Sequence, residues 1–169
     1  MLYFAYGSNL SLARIGARID SPAVVAQAAL RHHRLAFHKC GRDGSAKCDA
    51  FHTGEAGDRV LGIVYRIDAR QRARLDDVEG LGRGYDVKQV MVQLAQGGVA
   101  EAFTYFATRI DDRLRPFDWY KAHVLHGARE HGLPADYVAS LAAVEAVTDA
   151  DAGRRTQELS LYALPLPVA

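Results

Sequence analysis

The 169 residues are 49% hydrophobic and 24% charged, and 21 lysines and arginines stand against 20 aspartates and glutamates for a formal net charge of +1. This is the make-up of one soluble globular domain over 1–169, and so even a balance excludes the electrostatic footprint of a nucleic-acid binder. Two cysteines are too few for a disulfide framework, and the opening apolar run is too short for a signal peptide or a membrane span. The expectation is a cytoplasmic protein acting on a small solute, with neither nucleic acid nor membrane as partner.

In chain order, Met1 to Tyr6 predicts a short buried strand running straight into Gly7-Ser8-Asn9-Leu10. Gly7 permits positive φ and close approach, while Ser8 and Asn9 add small polar side chains. Such a loop can bring backbone N–H groups up to an anion or a developing oxyanion. A helix over Leu10 to Ile19, capped at or just before Asn9, would aim its first-turn amides at the same point. A plain strand-loop-helix corner is the competing reading.

Leu12, Ile15 and Ile19 keep helical spacing until Asp20-Ser21-Pro22 stops them. Val24 to Leu30 and Arg31 to Phe37 predict one or two strands. His38, Cys40, Cys48 and His52 then fall in one short segment, but structural zinc motifs pair their ligands roughly 2–4 residues apart, and these are spaced differently. The segment reads as a polar loop between two strands.

Val60 to Ile67 predicts a strand covered on both faces, and Asp68 caps a helix over Ala69 to Val78. At its end Asp76, Asp77 and Glu79 crowd carboxylates onto the negative pole of the helix, and Gly80-Leu81-Gly82-Arg83-Gly84 follows at once. A local rule broken in this way points to a functional site, most of all at Glu79, which abuts the glycine loop. For Asp76 and Asp77 a solvated acidic turn closed by a glycine cap competes. The glycines are no dinucleotide fingerprint, because they follow a helix and lead into a strand.

Asp86 to Leu94 and Val99 to Ala107 flank a hairpin at Gln96-Gly97-Gly98, which places Tyr105 inward beside Phe103, as a core tyrosine or a substrate-facing one. Phe117 to His131 is an amphipathic helix with Tyr120, Val124 and Ala128 on one stripe. Gly132-Leu133-Pro134 ends it and starts another helix through Tyr137, Val138, Leu141 and Val144. His123, His126 and His131 lack a matched acidic partner and read as surface or boundary residues. Thr148 to Glu158 reads as polar and loose, and Leu159 to Ala169 as an apolar, proline-interrupted tail able to cover a groove or a partner subunit.

Three stretches together carry a resemblance: Tyr3-Phe4-Ala5-Tyr6-Gly7-Ser8-Asn9-Leu10, the Glu79-Gly80 pair ahead of a glycine loop and a strand, and the run from Gly127 to Tyr137. The chain resembles the γ-glutamylcyclotransferase family, with gaps, from Met1 to about Val147. The resemblance implies an α+β fold around a small closed or nearly closed mixed β-barrel with flanking helices, and an active site in a cavity at one end. It implies a cofactor-independent enzyme, binding no metal, that cyclises a γ-glutamyl amino acid or γ-glutamyl amine to 5-oxoproline and releases the free amine, as in glutathione metabolism.

Carried over, Glu79 is the acid/base, the loop Tyr6, Gly7, Ser8, Asn9 and Leu10 binds the γ-glutamyl group, and substrate-side tyrosines fall on Tyr105 and Tyr120. The segment from His38 to His52 departs from the family and is expected to alter the rim of the pocket. The apolar tail and the fold's relatives leave room for a homodimer. Two other classes stay open. A γ-glutamyl-amide hydrolase would use Ser8 as nucleophile, but the G-x-S-x-G elbow and an evident His–Asp pair are lacking. A non-catalytic small-ligand module is the other, and Glu79 speaks against it. The leaving amine is open at this stage.

Overall fold

The computed structural model describes residues 1–162. β1 (Leu2–Ala5) leads into a 3-10 turn (Ser8–Leu10) and a short α1 (Leu12–Gly16). β2 (Ala23–Arg31), β3 (His33–Cys40), β4 (Ala46–His52) and β5 (Arg59–Arg66) follow. A second 3-10 turn (Ala69–Gln71) precedes α2 (Arg72–Glu79), and β6 (Tyr85–Leu94) and β7 (Val99–Ala107) form a hairpin. Three helices come last: α3 (Asp118–Glu130), α4 (Ala135–Ala143) and α5 (Ala152–Leu159).

Five strands close a barrel in the order β1-β5-β2-β6-β7, while β3 and β4 form a separate two-stranded sheet. The barrel is mixed because it closes through a parallel contact, Tyr3 opposite Phe103, whereas its other pairings are antiparallel. Closure removes the open edges a five-stranded sheet would otherwise expose. β5 is the strand the sequence reads as covered on both faces, and Val60, Ile63, Val64 and Tyr65 are fully buried. Gly62 interrupts it for a packing reason. A Cβ there would lie 2.3 Å from the Ala5 carbonyl oxygen and 2.8 Å from the Phe4 ring, so only glycine lets β1 and β5 approach this closely.

Three expectations are corrected. The first helix does not begin at Leu10: Ser8–Leu10 forms a 3-10 turn, and Ser11 caps α1, its Oγ accepting from the Arg14 N–H at 3.3 Å. Ser11 has the extended backbone of a cap, with φ and ψ of −71° and 125°, while the Asn9 side chain is engaged with Glu79 and Arg18. Residues 152–159 are helical rather than loose, because Asp151 accepts from the Arg154 N–H and starts α5. His123 is completely buried, not a surface residue, and its acidic partner is Glu158 on α5, with Nε2 to Oε2 at 3.1 Å. The same glutamate binds Arg14, so α5 clasps α1 and α3 together. Of the apolar tail, 163–169 lie outside the described residues. Among those described, no helix is long and apolar enough to cross a membrane.

Candidate active site

The position of Glu79 follows from how α2 stops. Gly80 adopts the left-handed conformation (φ 78°), and the N–H groups of Gly80 and Leu81 bond back to the Asp76 carbonyl at 3.0 and 2.9 Å. The two other carboxylates at this helix end are compensated by side chains. Asp77 pairs with Arg83 at 2.6 Å on the surface. Asp76 pairs with Arg72 at 2.7 Å and accepts from the Tyr105 hydroxyl at 2.5 Å.

Glu79 instead reaches to the loop after β1. Its Oε1 accepts from Asn9 Nδ2 at 2.8 Å and from the Arg18 guanidinium at 2.6 Å. Asn9 Nδ2 also donates to the Tyr3 hydroxyl at 3.0 Å, and Arg18 donates to Asn9 Oδ1 at 2.6 Å. Asn9 therefore presents its oxygen to arginine and its nitrogen to the carboxylate, which ties loop, helix and barrel strand into one network. Glu79 Oε2 has no partner among the described residues. With the Glu79 and Arg18 side chains only 14% and 15% exposed, one carboxylate oxygen is anchored and the other is left open at a cavity.

That cavity has two adjoining parts, sharing Ser8, Glu79, Tyr85 and Tyr120. The inner part, about 20 Å³, is lined by tyrosines and the Gly7-Ser8-Asn9 loop, with Cys48 and Glu79. The outer, about 190 Å³, opens toward Arg18, Trp119 and the turn between β3 and β4. Tyr3 stacks on Phe103 at 5.1 Å and meets Tyr105 edge-on at 5.8 Å. The Tyr6 hydroxyl donates to the Tyr105 carbonyl at 2.6 Å, Tyr85 donates to the Cys48 carbonyl, and the Tyr120 hydroxyl accepts from the Cys48 N–H at 3.0 Å. Burial pushes all five of these phenols, Tyr3, Tyr6, Tyr85, Tyr105 and Tyr120, above the usual range, so they stay neutral. Burial likewise pushes the Cys48 thiol up to about 12, which leaves it protonated and unreactive at neutral pH.

The loop itself departs from expectation in two details. Gly7 has φ −108°, so positive φ is not what it supplies. Its value is close approach, since a Cβ would sit 3.1 Å from Cys48 Cβ and 3.3 Å from the Tyr120 hydroxyl oxygen. Leu10 also stands apart from the other loop residues: it is fully buried, and its amide is used by the Gly7 carbonyl at 2.9 Å. The amides of Gly7, Ser8 and Asn9 have no acceptor among the described residues. Ser8 Oγ is hydrogen-bonded to neither a histidine nor a carboxylate among them, so nothing activates it as a nucleophile.

The third sequence motif supports this loop from behind. A Cβ on Gly127 would lie 2.3 Å from both Leu10 C and Ser11 N, so α3 packs directly on that peptide bond. Glu130 Oε2 accepts from the Leu12 N–H at 3.0 Å. The Leu10 carbonyl lies 2.9 Å from the Tyr65 hydroxyl, which donates to it, and 2.9 Å from His131 Nε2. The segment from His38 to His52 is mostly strand rather than a polar loop, being the end of β3 and all of β4, and Lys39, Gly41, Arg42, Asp43 and Lys47 from it line the outer cavity with Glu79. His38 Nε2 and Nδ1 contact Asp49 and Asp112, both at 3.0 Å, and thereby tie β3 to β4 and to the segment after β7.

Of the residues singled out in the sequence, Tyr6, Gly7, Ser8, Asn9, Glu79, Tyr105 and Tyr120 line the inner cavity. Sequence reasoning missed Arg18, Tyr3 and Tyr85. Tyr3 sits inside the opening motif, and Tyr85 follows the glycine loop directly. Arg18 carries no signal, because it trails a short helix as exposed arginines commonly do.

Residues 59–141 match the model of the AIG2-like family. Over 151 residues the chain is 34% identical to the gamma-glutamylcyclotransferases of Homo sapiens and Mus musculus, covering 85% of this chain and 78% of each relative. A solved gamma-glutamyl cyclotransferase superposes with a TM-score of 0.84 at 29% identity, over 94% of this chain and 97% of that one.

Proposed function

The chain belongs to the γ-glutamylcyclotransferase family and is an enzyme of that class, and from this premise we propose that Glu79 moves the protons of a cyclisation giving 5-oxoproline. The observation that carries the assignment is the asymmetry of its carboxylate: Oε1 is fixed by Asn9 and Arg18, while Oε2 is unpartnered among the described residues and lies at the cavity.

The substrate is a γ-glutamyl compound whose α-ammonium meets Oε2. Glu79 takes one ammonium proton, and the freed nitrogen attacks the γ-carbonyl carbon of the same molecule. A C–N bond forms, the five-membered ring closes, and the carbonyl oxygen becomes an oxyanion. When the intermediate collapses, the original amide C–N bond breaks as Glu79 returns its proton to the departing nitrogen; the ring nitrogen gives up its second proton to the same carboxylate, and the released amine carries that proton off as its ammonium. A positioned acid/base is worth about 10²–10⁴-fold. The amides of Gly7, Ser8 and Asn9, unpartnered among the described residues, are the donors available to the oxyanion, and one well-aimed oxyanion donor is worth roughly 3 kcal/mol. The tyrosine walls hold the glutamyl chain folded, and effective molarities for such ring closures can reach ~10⁵ M.

Hydrolysis through Ser8 is the alternative on the same fold, and it predicts a different product. Turnover of a γ-glutamyl amino acid in H₂¹⁸O is the test. Cyclisation yields 5-oxoproline free of solvent oxygen, and Ser8→Ala retains most turnover. Glutamate carrying ¹⁸O, together with an inactive Ser8→Ala, would establish the hydrolase instead.

A further inference from the structure

The outer cavity has a cationic rim. Four of its basic side chains are neutralised: Arg18 by Glu79 at 2.6 Å, Lys47 by Asp43 at 2.7 Å, Arg83 by Asp77 at 2.6 Å, and Arg14 by Glu158. Arg42 is exposed at the tip of the β3–β4 turn. Lys39 is different, because it is only 6% exposed and has neither an ion pair nor a hydrogen-bond acceptor for Nζ among the described residues.

The fold makes room for this ammonium. A β-bulge at His38 puts two residues of β3 against one of β4, so His38 and Lys39 are both buried although they are adjacent on a strand. Lys39 Nζ lies 4.4 Å from the centroid of the Tyr85 ring and 3.2 Å from where a Cβ on Gly84 would be. Gly84 has φ +129°, so the position both favours glycine and needs its empty side-chain space. Burial lowers the pKa of the Lys39 ammonium, and Glu79 and Asp43, both beyond ion-pair distance, offset that only in part. A largely buried ammonium with no direct anion among the described residues favours the arrival of one.

Where that anion belongs follows from the two parts of the cavity. Ring closure requires the glutamyl half beside Glu79 Oε2 and the loop amides, which is the inner part, and its volume of about 20 Å³ must widen to admit that half. The leaving half must then extend into the outer part, and Lys39 lines the outer part only. Resting on the cyclisation reading above, we propose that Lys39 is the specificity-determining residue for the leaving group: its ammonium receives the carboxylate of a departing amino acid and selects γ-glutamyl amino acids over γ-glutamylamines.

Alanine and ethylamine differ only by that carboxylate, so γ-glutamyl-alanine and γ-glutamyl-ethylamine form a matched pair for 5-oxoproline release. The wild-type enzyme is expected to favour γ-glutamyl-alanine in kcat/KM by about 10–100-fold, Lys39→Met to collapse that ratio toward unity, and Lys39→Arg to restore part of it. A wild-type ratio near unity, or an equal loss on both substrates in Lys39→Met, overturns the proposal while leaving cyclisation intact. No 5-oxoproline from either substrate overturns the cyclisation reading and this proposal with it. Inhibition of the wild-type enzyme by the free products needs no variant: alanine must bind more tightly than ethylamine, and equal inhibition overturns the proposal.

Discussion

Replacing Gly127 with alanine tests whether α3 sets the position of the catalytic loop. The added Cβ would meet Leu10 C and Ser11 N at 2.3 Å, where ordinary contact begins at 3.4 Å. Helix and loop must therefore part by about 1 Å, and both contacting groups are backbone, so no rotamer change relieves the clash. Overpacking of this kind costs roughly 1–3 kcal/mol, here near the upper end, and the better helix propensity of alanine returns about 1 kcal/mol. The net loss is about 2 kcal/mol. For a chain of this length it lowers Tm by about 4–8 °C. Displacing the Ser8 and Asn9 amides by even part of that 1 Å is expected to cost up to ~10²-fold in turnover. Thermal denaturation and 5-oxoproline release measure the two effects separately. A Gly127→Ala enzyme with wild-type Tm and wild-type kcat would refute the claim that this contact holds the loop.

Other outcomes follow from the same geometry. Arg18→Met removes one of the two donors that fix Glu79 Oε1 and leaves Asn9 Oδ1 without its partner, so kcat should fall by about 10–100-fold with a smaller change in KM; Arg18→Lys should recover part of it. A kcat equal to wild type would remove arginine from the network. The clasp between α5 and α3 should be acid-sensitive. Burial holds the pKa of His123 below its ordinary 6.5. Burial opposes the shift at Glu158, but His123 and Arg14 hold its carboxyl below the ordinary 4.5. For the histidine, the unfolded chain binds more protons than the folded one as pH falls below 6.5, so stability declines, with a limiting slope of about 1.4 kcal/mol per pH unit for one group. For the glutamate, stability is complete above 4.5 and is lost as pH falls through the depressed folded value. Tm should therefore fall between pH 7 and pH 5, and His123→Gln should flatten that part of the profile. An unchanged slope in the variant would show that His123 is not the group responsible.

How much of this was legible in the sequence depends on whether the signal was local. The strand into Gly7-Ser8-Asn9 and the carboxylates misplaced at the end of α2 are both read from adjacent residues, and they meet through Asn9 and Glu79. The barrel strands were equally legible, since alternation and turn glycines mark β6 and β7. Arg18 was not legible, because its function comes from a reach across space to Glu79 and not from its neighbours in the chain. His123 was misread for a related reason. Its partner lies on α5, whose charged and glycine-containing sequence hid the helix although the Asp151 cap was present. Lys39 needed the bulge at His38, and a break in pleat alternation is invisible until the register with β4 is known. Glycines are unfavourable inside a strand or a helix, and nothing adjacent in the chain explains those at positions 62 and 127. Their purpose appears only when Ala5 and Leu10 are seen against them.

The central claim is that the carboxylate of Glu79 carries the protons of ring closure. Glu79→Gln keeps the shape of the side chain and an oxygen for Asn9 and Arg18 while removing the base, so circular dichroism and Tm should stay close to wild type. Initial rates of 5-oxoproline release from a γ-glutamyl amino acid should then fall by about 10²–10⁴-fold. A folded Glu79→Gln enzyme that releases 5-oxoproline at the wild-type rate would contradict the account.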